Sequence, residues 1–230
     1  MSSRCYILRG FLRFLYRRGA ATRDLSPLVL VPVRFRLEEC PRFLGPDSLR
    51  KVLAEIDRYT SHGRRTYAMV LLLAVYGLRG IEVIRLRLDD IDWEEATLTI
   101  KSRKAGNSTT YPLAASVGTA ILAYLQDGRP NSSDRHVFLS TKAPFRPLVY
   151  TYALGYQVRK YIRRAGVTTV RPGTHTFRYS CAQRLLDAGT PLKWISDYLG
   201  HRATDSTRQY LKIDIDQLRE VALGDGEDVL

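Results

Sequence analysis

The sequence predicts a mainly helical protein with one small β-hairpin, a mainly α fold of the α+β class. Three observations carry this reading. Apolar residues recur at three- and four-residue spacing along most of the chain, the signature of helices with one buried stripe. The period switches to two in a single stretch, residues 96 to 113, where Leu98 and Ile100 alternate with threonines. The segment from Arg64 to Tyr76 is apolar almost all round (YAMVLLLAVY), as expected of a helix at the centre of a core.

In chain order, residues 4 to 18 place Tyr6, Ile7, Leu8, Phe11, Leu12 and Leu15 near helical spacing, with Arg9, Arg13, Arg17 and Arg18 between them. Gly19 stands where that helix should stop. Residues 20 to 44 contain Pro27, Pro32 and Pro41 and no sustained period, so they read as an extended linker, and a domain boundary is placed there. Pro46 suits a first-turn position, and Leu49, Val52, Leu53 and Ile56 form one stripe behind it. Gly77 breaks the central helix, and a shorter helix with Arg79, Glu82, Val83 and Leu86 follows. After the hairpin, helices are expected at about 115 to 125, 148 to 164, 174 to 188, 192 to 199, 204 to 210 and 214 to 222, ahead of an acidic tail over 224 to 230. No internal repeat is present.

A chain of 230 residues can bury a core without staples. Its three cysteines, Cys5, Cys40 and Cys181, are odd in number, far apart, and lack metal-ligand spacing, which fits a reducing compartment and gives no metal site. No apolar run reaches the roughly 18 residues of a membrane span. The net charge of +13 points towards a polyanionic partner, because each Lys or Arg that meets a phosphate releases a counterion. Charge alone does not separate DNA from RNA, or either from no specific partner.

The residues that carry chemistry lie in one ordered series. Gly77-Leu78-Arg79-Gly80-Ile81-Glu82 matches a G-L-R-x-x-E pattern. Lys104 follows in the hairpin, then His175 and Arg178 as H-x-x-R, then Leu199-Gly200-His201, and Tyr210 nine residues beyond. Six positions in this order rarely coincide by chance. The series resembles the tyrosine recombinases of the phage integrase type, with residues 44 to 223 similar to the whole catalytic domain and residues 1 to 36 similar only to the last helix and linker of the preceding core-binding domain. The fold implied is that of the DNA breaking-rejoining enzymes.

The resemblance implies site-specific cutting and rejoining of double-stranded DNA, in the service of a mobile element, with no cofactor and no metal. Tyr210 would attack a backbone phosphate and leave a 3′-phosphotyrosine and a free 5′-hydroxyl, so that the bond energy is retained for rejoining. Phosphoryl transfer develops negative charge on the non-bridging oxygens, which preorganised cations stabilise. Arginine suits this role through its permanent charge and planar fork, hence the assignment of Arg79 and Arg178 to a phosphate clamp. His175 and Arg178, three residues apart on one helix, share a face. By resemblance Lys104 protonates the leaving oxygen, His175 is a general acid/base, His201 hydrogen-bonds the phosphate, and Glu82 orients Arg79 as a buried partner. Lys101, Arg103, Arg13 and Arg17 are candidate DNA contacts. The resemblance further implies tetrameric self-assembly on DNA through the last helix, partner recombinases as a further class of partner, no membrane, and a prokaryotic cytoplasm in association with the nucleoid.

Every one of these residues has a structural alternative when taken alone. Arg79 could cap a helix or pair with Glu82, His201 could end a helix, Tyr210 could be a core tyrosine, and Lys104 could be a solvated hairpin charge. His62 and His136 lie outside every motif and read as surface residues. The hairpin, Lys101-Ser102-Arg103-Lys104-Ala105-Gly106-Asn107, lacks the Gly-Lys-Gly of many relatives, so Lys104 is placed by counting back from Pro112-Leu113. Tyr179 stands where many members have histidine. Competing readings are a type IB topoisomerase and a non-catalytic DNA-binding remnant of a mobile element; the short hairpin with Leu199-Gly200-His201 argues against the first, and the undamaged residue set against the second.

Overall fold

A computed structural model describes residues 2–30, 43–101, 108–169 and 172–200. The chain divides into two compact units, Met1–Glu39 and Cys40–Leu230.

The first unit is helix α1, Ser2–Arg17, followed by a 3-10 turn at Ser26–Leu28 that packs back on it. Gly19 takes a left-handed backbone (φ 72°), the conformation that ends a helix without a Cβ penalty. The Asp24 carboxylate accepts the Ser26 backbone N–H at 2.8 Å and thereby fixes the turn.

The second unit is built around α3, Ser61–Tyr76, whose side chains from Ala68 to Tyr76 are all buried. The helix begins earlier than the apolar pattern shows, because the Thr60 hydroxyl caps it by accepting the Gly63 N–H at 3.1 Å. Against it lie α2, Pro46–Ala54, with Pro46 in its first turn and Leu49, Val52 and Leu53 inward, then α5, Ala115–Asp127, α6, Tyr152–Arg164, and α7, Thr174–Asp187. Helix α6 starts four residues later than its apolar spacing suggests. The short α4, Gly80–Ile84, follows the turn at Gly77, and α8, Leu192–Leu199, closes a smaller apolar cluster with α7 built from Cys181, Ala182, Leu186, Ile195 and Leu199.

The sheet has three antiparallel strands in the order β1 (Ile91–Asp92), β2 (Thr97–Ile100) and β3 (Thr109–Pro112). Leu98 faces Ile91 on one side and Tyr111 on the other, so alternate residues enter the core. The extra strand, β1, is too short to show a period. Residues 128–150, which carry no sequence pattern, are held by side chains: the Arg129 guanidinium donates to the carbonyls of Asp134 and His136, and Val137, Phe138 and Leu139 are buried. His62 and His136 are half-buried and engaged, correcting their assignment to the surface: His62 Nδ1 lies 3.1 Å from an Arg65 Nη, and His136 Nδ1 2.7 Å from the Asp134 carboxylate.

Among the described residues no helix is long and apolar enough to cross a membrane.

Candidate active site

The residues singled out in the middle of the chain meet where three helix ends converge: the C-termini of α3 and α8 and the N-terminus of α4. Gly77 ends α3 in a left-handed conformation (φ 60°). A Cβ there would stand 2.8 Å from Leu199 Cδ2 and 3.0 Å from Cys181 Cβ, so glycine is required both by the backbone and by the close approach of α7 and α8.

Arg79 occupies the cap position before α4. Glu82, three residues on, accepts the Arg79 backbone N–H at 2.8 Å with one oxygen and the guanidinium Nη1 at 2.9 Å with the other. The carboxylate is 6 % exposed and the arginine side chain 22 %, so the pair is mostly desolvated and Glu82 holds Arg79 from the protein side. The other terminal nitrogen, Nη2, donates to the Gly200 carbonyl at 2.9 Å, and Nη1 lies over a longer 3.5 Å from that of Leu199.

Arg178 projects from α7 into the same place. Its Nη1 donates to the Gly77 carbonyl at 2.7 Å and its Nη2 to the Leu199 carbonyl. Both carbonyls belong to helix C-termini, where unsatisfied acceptors and the helix dipole favour a cation. Arg178 is 5 % exposed, so the fork that the sequence assigns to a two-bond phosphate clamp is spent here on backbone oxygens. Each terminal nitrogen of a guanidinium carries two N–H groups, so a carbonyl bond does not exclude a phosphate on the same nitrogen.

His175 lies one turn before Arg178 at the start of α7 and is exposed to solvent. Partial burial, then the charges of Arg178 and Arg79, lower its pKa below the ordinary imidazole value. Both effects favour the neutral form of the ring, which can accept a proton. The start of α7 is fastened by Ser180, whose hydroxyl donates to the Thr176 carbonyl at 2.9 Å and accepts the Leu44 N–H at 2.8 Å.

Of the remaining candidates, Lys101 at the end of β2 forms a 2.7 Å ion pair with the buried Asp90, which also accepts the Arg87 N–H; part of its charge is thus balanced within the protein. Arg13 and Arg17 are exposed on α1 in the first unit. Arg103, Lys104, His201, Tyr210 and the helix expected at 214 to 222 lie outside the described residues. Sequence reasoning missed the backbone carbonyls of Gly77, Leu199 and Gly200 and the phenol of Tyr111, which donates to the Tyr198 carbonyl at 2.5 Å. The two glycines that end α3 and α8 were the only signal for those carbonyls. Among the described residues no group of three or more His, Cys, Asp or Glu side chains could hold a metal ion.

A helical domain with a three-stranded sheet, and two arginines gathered at helix ends beside a histidine, has close counterparts in known proteins. The family model described as "Phage integrase family" matches residues 42–216, and the chain belongs to that family of tyrosine recombinases. It is 42 % identical over 216 residues to the integrase/recombinase y4rA of Sinorhizobium fredii, a match covering 94 % of this chain and 52 % of that protein. A second protein of the same organism, the integrase/recombinase y4gC, is 41 % identical over 185 residues, covering 80 % of this chain and 95 % of the relative. The chain thus spans about half the length of the first relative and nearly all of the second. Among solved structures, the lambda integrase fragment crystallised as a dimer on a COC′ core site matches with a TM-score of 0.68 at 16 % identity, over 94 % of this chain and 73 % of that one. The fold is that of the tyrosine recombinase catalytic domain.

Proposed function

We propose that this chain is the catalytic part of a site-specific DNA recombinase that cuts and rejoins strands through a covalent link between Tyr210 and a backbone phosphate. The observation that carries the reading is the meeting of Arg79 and Arg178, 99 positions apart in sequence by the difference of their numbers, on the carbonyls that close α8, with His175 under the influence of both. Ten residues after Gly200, which caps that helix, comes Tyr210, so whatever sets the arginines also sets the root of the segment that carries the nucleophile.

In the proposed reaction the Tyr210 oxygen attacks the phosphorus and forms the new P–O bond, while the bond to the 5′-oxygen breaks. Neutral His175 takes the phenolic proton, and Lys104 gives a proton to the departing 5′-oxygen. Arg79, braced by Glu82, and Arg178, held between two helix ends, stabilise the charge that grows on the non-bridging oxygens, and His201 adds a hydrogen bond. The role of Arg178 is positional and electrostatic to a greater degree than its sequence motif suggests, because its terminal nitrogens are already anchored. The chemistry uses neither metal nor cofactor.

Double-stranded DNA is the proposed substrate. Membership of a recombinase family, the +13 charge, and a structural counterpart crystallised on a core site support this. The proposed domain plan has residues 1–36 as the last helix and linker of a core-binding domain, residues 44–223 as the catalytic domain and 224–230 as a tail. Self-assembly through the last helix, cooperation with partner recombinases, service to a mobile element and a cytoplasmic, nucleoid-associated location complete the proposal. The test is covalent trapping on nicked candidate-site DNA, with wild type and Tyr210→Phe run side by side on a denaturing gel. A retarded DNA adduct that is absent from the Tyr210→Phe lane is expected. Intact DNA binding with no adduct from wild type would leave a non-catalytic DNA-binding protein.

A further inference from the structure

The last carbonyls of α8 are all taken, and by different parts of the fold. Those of Ser196 and Asp197 receive the backbone N–H of the capping Gly200. That of Tyr198 receives the phenol of Tyr111 on β3 at 2.5 Å. That of Leu199 receives Arg178 from α7, with Arg79 at 3.5 Å, and that of Gly200 receives Arg79 at 2.9 Å. Three consecutive backbone oxygens thus tie the sheet, α7 and the α3–α4 turn to one helix end. Such oxygens normally face water or a cap supplied from nearby in sequence.

Tyr111 is buried, and its ring packs edge-on against Tyr198 (4.9 Å between centroids) and tilted against Tyr76 (5.2 Å). The hydroxyl adds a directed bond to the residue immediately before the carbonyls that the arginines grasp. We infer that Tyr111 is a positioning residue: through the Tyr198 carbonyl it sets the final turn of α8, and through that turn the placement of the Arg79 and Arg178 guanidiniums. This inference rests on the proposal that the two arginines stabilise phosphate charge.

The test compares DNA cleavage by wild type, Tyr111→Phe, Tyr76→Phe and Arg79→Ala on nicked duplexes carrying either the ordinary diester or a methylphosphonate at the scissile position. The methylphosphonate replaces a charged non-bridging oxygen with a methyl group, so it makes less demand on the arginines. Tyr111→Phe keeps the ring packing and loses only the hydroxyl, and it is expected to slow adduct formation on the diester by about tenfold, the order of one well-placed hydrogen bond. On the methylphosphonate its deficit relative to wild type should shrink to within about twofold, as should that of Arg79→Ala, following the loss of charge to be stabilised. Tyr76→Phe removes a neighbouring phenol that bonds the Pro112 carbonyl and the Ala114 N–H and touches no α8 oxygen, so any deficit it has should be the same on both substrates.

If Arg79→Ala shows the substrate contrast and Tyr111→Phe does not, whether because it equals wild type or because it is slowed equally on both, the positioning role of Tyr111 is overturned while the arginine mechanism stands. If Arg79→Ala is slowed equally on both substrates, the arginine mechanism itself fails, and the inference with it. Should Tyr111→Phe not fold, judged by thermal unfolding, Tyr111→Met, an apolar side chain of similar reach that carries no donor, is put through the same comparison and must show the deficit on the diester that shrinks on the methylphosphonate; no deficit, or one equal on both substrates, overturns the role.

Discussion

Replacing Arg178 with lysine keeps the positive charge and removes the fork. In the wild type two nitrogens of one planar group bridge the Gly77 and Leu199 carbonyls, at the ends of α3 and α8. A single ammonium on a narrower stem cannot occupy both positions, so at least one buried carbonyl loses its charged donor. Leaving such an acceptor unsatisfied costs about 1–3 kcal/mol. For a domain of this size each kcal/mol lowers Tm by about 2–4 °C, which gives an expected fall of about 2–12 °C. Activity should suffer more than stability. A misplaced stabilising donor at a phosphoryl-transfer site costs about 100- to 1,000-fold, and the lost anchor also loosens the end of α8 that Arg79 grasps. Thermal unfolding and adduct formation measured on the same preparation check both numbers. A lysine variant with wild-type Tm and wild-type cleavage would show that the bridge between the two helix ends does nothing, and the account of the site built on it would fall.

Two further perturbations separate neighbouring features. Gly77→Ala must adopt φ near 60° with its Cβ 2.8 Å from Leu199 Cδ2, and should lose about 1–3 kcal/mol by chemical denaturation, whereas Gly80→Ala, whose Cβ would meet Thr151 at an ordinary 3.5 Å, should change stability by less than about 1 kcal/mol; equal effects would refute the close approach at Gly77. His175 has a pKa held below that of the unfolded chain by burial and by Arg178 and Arg79, so between that lowered value and the ordinary value of about 6.5 the unfolded state binds a proton that the native state refuses. Stability should therefore fall as pH drops below about 6.5, and His175→Gln should lose less over the same interval; parallel curves for the two proteins would remove the electrostatic link between the histidine and the arginines.

The sequence was informative wherever function or backbone geometry leaves a local mark. The glycines that end α1 and α3 were visible because a left-handed residue without a Cβ penalty is nearly always glycine. The core face of α2 was visible because Leu49, Val52 and Leu53 repeat at helical spacing, and the pairing of β2 with β3 because Leu98 and Ile100 alternate with polar neighbours. The strand β1, two residues long, and the buried segment Val137–Leu139 left no such mark, since neither is long enough to express a period. The start of α3 was hidden by a polar first turn that a single threonine hydroxyl secures.

What the sequence by itself determined about this protein was its membership in a family, and it nominated Arg79, His175 and Arg178 for the proposed site, because chemistry constrains residue type and order. What the tertiary structure decided was where those groups stand. Arg178 reads as a phosphate ligand in the motif, yet its nitrogens rest on backbone oxygens contributed from 101 and 21 positions away. Backbone carbonyls are the same at every residue, and nothing in a string of side chains marks which of them will be left unpaired at a helix end. Only the packing of α3, α7, α8 and the sheet against one another brings those oxygens to the arginines.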